Sequence, residues 1–279
     1  MRRRALTGGR DFTAGDRKAY CGSMTEQVPE SRAAATAVIL RNRPGAAPEI
    51  LMMERASSMA FAAGALVFPG GAVDAGDHAL AERIAGSLPL DEAAARIAAI
   101  RETLEESGLA IAFTRPLETD RIATMRRALI EGAGLGDILD AHGLELSLDA
   151  LLPFARWHPA RLERVRRVFD TRFYLVQAPE GQSASVDETE NVQLFWSAAA
   201  ETLARCDRGE GQIIFPTRRN LERLAQFTSF DDLAAHALSV PVEKVTPWQE
   251  ERDGEMHLCI PAHLGYPVTS EPLGTARRV

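Results

Sequence analysis

The stretch that most restricts this chain is the run from Asp91 to Gly108. Ala93, Ile97, Ile100 and Leu104 recur at i, i+4, i+7 and i+11, a period that predicts one amphipathic helix with a single buried stripe. Asp91, after Pro89, is the expected N-cap, and Gly108 is the expected C-terminal stop. Such a stripe needs an apolar surface to lie on. Two short apolar runs, Ala35 to Leu40 and Glu49 to Met53, flank the turn Asn42-Arg43-Pro44-Gly45 and read as paired strands. Further strands are expected at Leu66 to Phe68, Leu109 to Phe113, Phe154 to Trp157, Arg172 to Val176 and Gln193 to Trp196. Helix and sheet alternate irregularly, so the chain is expected to be α/β or α+β.

Two segments show helical spacing without strand alternation, His78 to Ser87 and Asp120 to Leu151, and read as insertions. Near the C-terminus, Asn220 to Gln226 and Phe230 to Leu238 read as helices. Val242 to Trp248 and Met256 to Ile260, around Asp253-Gly254, read as a hairpin. Residues 1–32 carry no apolar period and read as a tail.

Composition narrows the function. A net charge of −7 argues against a nucleic-acid partner or an anionic membrane. No run approaches the length of a membrane span. Cys21, Cys206 and Cys259 are dispersed and odd in number, which fits a reducing, cytoplasmic setting rather than a disulfide frame. The six histidines show no metal-binding spacing, and Trp157, Trp196 and Trp248 read as core or pocket-wall residues.

The helix ends in chemistry. Glu102, Glu105 and Glu106 fall on the side away from the apolar stripe. Unneutralised, like charges at i,i+4 destabilise a helix by a few tenths of a kcal/mol per pair. A hard dication with oxygen ligands, Mg²⁺ or Mn²⁺, would neutralise them and bring phosphate oxygens to the same place. Arg101 can orient a neighbouring glutamate or reach phosphate. Gly70-Gly71 lets bare backbone approach.

The segment from Gly71 to Leu109 resembles the Nudix box of the MutT/Nudix hydrolases: Gly, five residues, Glu, seven residues, then Arg-Glu-U-x-Glu-Glu-x-Gly-U, where U is aliphatic. Gly71 takes the first position, and Arg101-Glu102-Thr103-Leu104-Glu105-Glu106-Ser107-Gly108-Leu109 completes the second half. Asp77 stands where Glu is usual, Thr103 replaces an aliphatic residue, and 23 residues (78 to 100) replace seven. That extra length should bulge from the loop before the helix. An enlarged box resembles the coenzyme A and acyl-CoA diphosphatase branch. The likeness extends through Met59-Ala60-Phe61, Val67-Phe68-Pro69-Gly70-Gly71, Phe169-Asp170-Thr171-Arg172-Phe173-Tyr174 and Phe215-Pro216-Thr217, covering roughly residues 33–228.

The resemblance implies a Nudix α/β/α sandwich with a mixed sheet over residues 33–228, carrying helical insertions near 78–90 and 116–150. Residues 229–279 would form a small C-terminal helix-hairpin extension packing on that domain. It implies Glu102, Glu105 and Glu106 as metal ligands, with the Gly70 carbonyl as a further one. The catalytic set would be Arg101, Glu102, Glu105 and a loop carboxylate, Glu188 or Glu190, one of the acids serving as general base. Arg55, Gly71 and Arg172 are the substrate-contact candidates. Arg55 lies in Leu51-Met52-Met53-Glu54-Arg55-Ala56, a partial match to the coenzyme A motif in which Met59 replaces the second basic residue. The implied partner is a small-molecule nucleoside diphosphate derivative, most directly coenzyme A or acyl-CoA. ADP-ribose, a nucleotide sugar, a dinucleotide and a non-catalytic binding module are the alternatives. A homodimer is compatible with all of these.

Overall fold

The computed structural model describes residues 31–55, 64–159, 168–186 and 191–276. Cys21, Met59-Ala60-Phe61, Glu188 and Glu190 lie outside them, as does most of the expected tail.

Strands β1 (Ser31–Arg43) and β2 (Ala46–Arg55) form the expected antiparallel hairpin. Gly45 supplies the left-handed turn residue, φ +70°. Every residue of β1 from Ala34 to Leu40 is buried, as expected of a central strand covered on both faces. β3 (Leu66–Val67) pairs antiparallel with the end of β2, and β4 (Gly70–Ala72) pairs with the start of β1. Helices α1 (Ala75–Ile84), α2 (Leu90–Ser107), α3 (Thr119–Ile130) and α4 (Leu135–His142) follow. Then come β5 (Leu152–Trp157), β6 (Val168–Gln177) and β7 (Asn191–Ala198). β6 pairs parallel to β1, β5 antiparallel to β6, and β7 antiparallel to β2. The described residues close with α5 (Ala199–Asp207), α6 (Phe215–Leu224), α7 (Phe230–Ser239), β8 (Lys244–Val245), β9 (Trp248–Arg252), β10 (Glu255–Cys259), β11 (Ser270–Pro272) and the single turn α8 (Leu273–Ala276).

Alternation along β1 builds two cores. Ala35, Ala37 and Ile39 face α1 to α4, whereas Val38 and Leu40 face α5 to α7, which gives an α/β/α sandwich around a mixed sheet.

Several expectations need correcting. α2 is buried all round from Ala93 to Ile100, not along one stripe. The reason is the box insertion, which does not bulge. It forms α1, whose Leu80 and Ala81 enter the core, and it lengthens α2 at its N-terminus, where alanines permit close packing. Pro89, not Asp91, occupies the N-cap, and Asp91 sits in the first turn, where the helix dipole favours an acid. Leu109 to Phe113 is not a strand. Leu109, Ala110 and Ile111 bury their apolar side chains in a turn, Ala112 is left-handed (φ +58°), and only Phe113 makes a bridge, to Leu146.

At the C-terminal end, the Asp253-Gly254 turn has two positive φ values and joins β9 to β10 as expected. Val242 to Val245 do not belong to that hairpin: Lys244 and Val245 form β8, parallel to β5 in the main sheet. β11 adds a third strand to the hairpin. Trp157 is a core residue, but Trp248 is 42% exposed. No helix among the described residues is long and apolar enough to cross a membrane.

Candidate active site

The last turn of α2 lies against β4. Gly70 adopts φ +156°, and a Cβ there would fall on the Ala35 carbonyl oxygen and within 2.7 Å of Thr36 Cα, so a side chain is excluded by both conformation and space. Its amide donates to Glu106 Oε2 at 2.8 Å, which ties the glycine loop to the helix. Gly71 faces the Glu102 carboxylate so closely that a Cβ would overlap it. The two glycines that the sequence singled out therefore serve different neighbours: β1 for Gly70, and a carboxylate for Gly71.

Arg101 is the hub. Its Nε and Nη2 meet both carboxylate oxygens of Asp77 at 3.0 and 2.9 Å, and Nη2 also donates to the Ala72 carbonyl at 3.0 Å. Nη1 reaches Glu102 Oε1 at 2.9 Å and Glu105 Oε1 at 3.2 Å. Asp77 is in turn fixed by a reciprocal capping box with Asp74 at the start of α1. The inserted residues between Asp77 and Arg101 thus leave the two in contact.

Four carboxylates, Asp74, Asp77, Glu102 and Glu105, surround this one guanidinium, and a fifth, Glu106, accepts from the Gly70 amide. Burial raises the Glu102 carboxyl to about 7, with the Glu105 charge adding to the rise and Arg101 opposing it. Burial likewise pushes Glu105 up. Burial works against the charge of Arg101, but Asp77, Glu102 and Asp74 outweigh it and raise its pKa. Among the described residues no three acids, histidines or cysteines stand in a metal-holding arrangement, and Glu102 and Glu105 are bonded to Arg101. The donor set nonetheless suits a hard dication: carboxylate oxygens on adjacent helical turns, with more negative charge than one arginine offsets.

The other candidates fall elsewhere. Arg55 ends β2, with its Nε buried and unpartnered among the described residues. Arg172 pairs with Glu92 at 3.3 Å, in the first turn of α2. Glu92 is ten residues from Glu102, about 15 Å along the helix. The structure therefore does not bring Arg172 to the carboxylates. Asp170, two residues before Arg172 on β6, holds Arg156 by two bonds at 2.7 and 2.8 Å. The partnership of Asp77 with Arg101 was hidden by the enlarged spacing, and the acid in the first half of the box was its only sequence signal.

A mixed sheet between helices, with an Arg-Glu helix end seated on a glycine loop, is the arrangement expected of a Nudix fold. The chain is 27% identical over 253 residues to the acyl-coenzyme A diphosphatase NUDT19 of Gallus gallus, a match spanning 72% of this chain and 67% of that protein. It is 27% identical over 272 residues to the protein of the same name from Homo sapiens, spanning 78% and 72%. A Nudix hydrolase from Alicyclobacillus acidocaldarius matches it with a TM-score of 0.65 and 28% identity, over 74% of this chain and 96% of that one. No family model matches. Fold, box and relatives together support a Nudix diphosphatase, similar to these acyl-coenzyme A diphosphatases.

Proposed function

We propose that this chain is a divalent-metal-dependent hydrolase that cleaves the diphosphate of coenzyme A or an acyl-CoA, giving adenosine 3′,5′-bisphosphate and (acyl-)phosphopantetheine. The observation that carries the reading is the gathering of Glu102, Glu105 and Glu106 at the end of α2, against Gly70 and Gly71. The coenzyme A part rests on the names of the chicken and human relatives and on the partial motif around Arg55. The dispersed, odd-numbered cysteines favour a reducing, cytoplasmic setting for it.

Glu102, Glu105 and Glu106, with the Gly70 carbonyl, would hold Mg²⁺ or Mn²⁺. When bound, the dication polarises phosphate oxygens and acidifies a water. The chain's own residues do the rest. Asp77 holds the Arg101 guanidinium in place, and Arg101 fixes the rotamers of Glu102 and Glu105. One carboxylate of the cluster, or Glu190, takes the proton of the attacking water as it adds to phosphorus. Gly71 leaves the approach to Glu102 free of side chain. Arg55 is the candidate contact for a phosphate at the adenosine end.

The test is a panel of coenzyme A, acyl-CoAs, ADP-ribose, NADH and diadenosine polyphosphates with Mg²⁺ or Mn²⁺, with products identified by mass. Adenosine 3′,5′-bisphosphate from coenzyme A is the expected product. Turnover of ADP-ribose or a dinucleotide alone would move the substrate assignment, and full activity in EDTA would end the metal mechanism.

A further inference from the structure

An α-helix leaves its last four carbonyls without helical partners, and the terminal turn frays unless something else bonds them. In α2 these are the carbonyls of Leu104, Glu105, Glu106 and Ser107, the turn that carries two of the three proposed ligands. All four are satisfied, the first by the i+4 amide at the helix end and the other three from outside the helix. Gly108 N–H, in the left-handed conformation, donates to Leu104 O at 3.0 Å. Arg126, on α3, donates from Nε to Glu105 O at 2.9 Å and from Nη2 to Glu106 O at 3.0 Å. Ser185 N–H donates to Ser107 O at 2.9 Å. Arg126 also binds Ser185 itself, Nη1 to Oγ at 2.7 Å and Nη2 to the carbonyl at 2.9 Å.

We propose that Arg126 is a positioning residue for the metal-binding end of α2, holding the backbone of Glu105 and Glu106 by their carbonyls. The inference rests on the reading of these glutamates as metal ligands. Three features support it independently of substrate. The planar fork of a guanidinium presents donors on separate nitrogens to two successive carbonyls in one fixed geometry, whereas an ammonium offers them from a single nitrogen on a flexible stem. A cation at a helix C-terminus meets the negative end of the dipole. Room for the fork is built in as well, because a Cβ on Gly108 would stand 3.1 Å from Arg126 Nη1, so the glycine serves both the turn and the arginine. α3 thus has a role beyond packing: it carries the group that stops the ligand-bearing turn from fraying.

The test compares wild type, Arg126→Ala, Arg126→Lys and Ser185→Ala in the full chain, with three readouts: Mn²⁺ binding by titration, kcat and KM on the substrate found active, and thermal unfolding in EDTA. Arg126→Ala should unfold cooperatively, bind Mn²⁺ about tenfold more weakly and lose about tenfold in kcat, with KM changing less than threefold. Arg126→Lys should recover most of the melting temperature but not the Mn²⁺ affinity. Ser185→Ala, which leaves both helix carbonyls bonded, should change Mn²⁺ affinity less than twofold. Wild-type Mn²⁺ affinity and kcat in Arg126→Ala would overturn the inference, as would an effect of Ser185→Ala as large as that of Arg126→Ala. A wild-type chain that binds Mn²⁺ but cleaves nothing in the panel, with binding weakened in Arg126→Ala, would support the positioning role while removing the proposed activity. A wild-type chain that binds no Mn²⁺ would overturn both.

Discussion

Asp77 and Arg101 meet edge to edge, Nε to Oδ1 at 3.0 Å and Nη2 to Oδ2 at 2.9 Å, across an insertion of two helical segments. Asp77 is 1% exposed and the Arg101 side chain 11%. The pair joins the two halves of the box, because the same guanidinium holds Glu102 and Glu105. Removing one partner of a buried pair strands the other's charge and costs about 3–5 kcal/mol. Asp77→Ala is expected to fall in that range in urea unfolding and to depress kcat by freeing the Glu102 and Glu105 rotamers. A loss below about 1 kcal/mol would mean that Arg101 finds another anchor among the surrounding acids.

What the sequence made legible follows from how local each signal is. The β1–β2 hairpin, the helix end at Gly108 and the acid-rich turn announce themselves within a few residues. The contact of Asp77 with Arg101 is set by how α1 packs on α2, which no spacing rule encodes. Leu109 to Phe113 deceived because a buried turn and a buried strand demand the same apolar residues. α5, which continues directly from β7, was not anticipated, since its alanine-rich start resembles the end of the strand before it. Arg172 alternates properly on its strand, but period two fixes only a face, and that face meets the wrong end of α2.

Glu106→Gln separates ligation from architecture. Its Oε2 accepts the Gly70 amide, a bond a glutamine oxygen can also accept, so the melting temperature should move little. Hydrolysis with Mg²⁺ should fall at least about a hundredfold, because a ligand charge at the proposed metal site is gone. Retained activity would remove Glu106 from the ligand set.

Thr103 departs from the aliphatic residue of the box and is fully buried, its hydroxyl lacking a partner among the described residues. A buried hydroxyl without a hydrogen bond costs roughly 1–3 kcal/mol. Thr103→Val should therefore stabilise the protein by about 1 kcal/mol and raise the melting temperature by roughly 2–4 °C. A lower melting temperature would show that the hydroxyl is bonded in solution.

Asp170 gives a pH-dependent term. Burial works to raise its carboxyl, but two hydrogen bonds from Arg156, aided by the charges of Arg156, Lys244 and Arg172, outweigh it and leave the pKa lowered. A group with a depressed folded pKa contributes stability above its unfolded value, about 3.9 for aspartate, and loses it as pH falls through the folded value. The stability gap between wild type and Asp170→Asn should be constant from neutral pH to about 5 and shrink below about 4. A gap that widens in acid would reverse the sign of the linkage.

Gly71→Ala tests whether the glycine loop is there for a carboxylate. The backbone at Gly71 is not in the left-handed region, so alanine meets no conformational penalty there. What it meets is the Glu102 carboxylate, which the new Cβ would overlap. That carboxylate is the end of a flexible side chain, so Glu102 can swing away while the sheet and helix stay as they are, with little change in the unfolding transition. Moving it breaks the 2.9 Å bond to Arg101 and takes one proposed ligand from its place. Activity and Mn²⁺ affinity should each fall at least about tenfold, since displacing a charge-assisted contact is worth about 1.5–3 kcal/mol. The expected signature is a folded protein with a weak metal site. A Gly71→Ala protein with wild-type Mn²⁺ affinity would show that Glu102 does not need to stand beside the loop, and a collapse of the melting temperature would show instead that β4 cannot carry a side chain at this position.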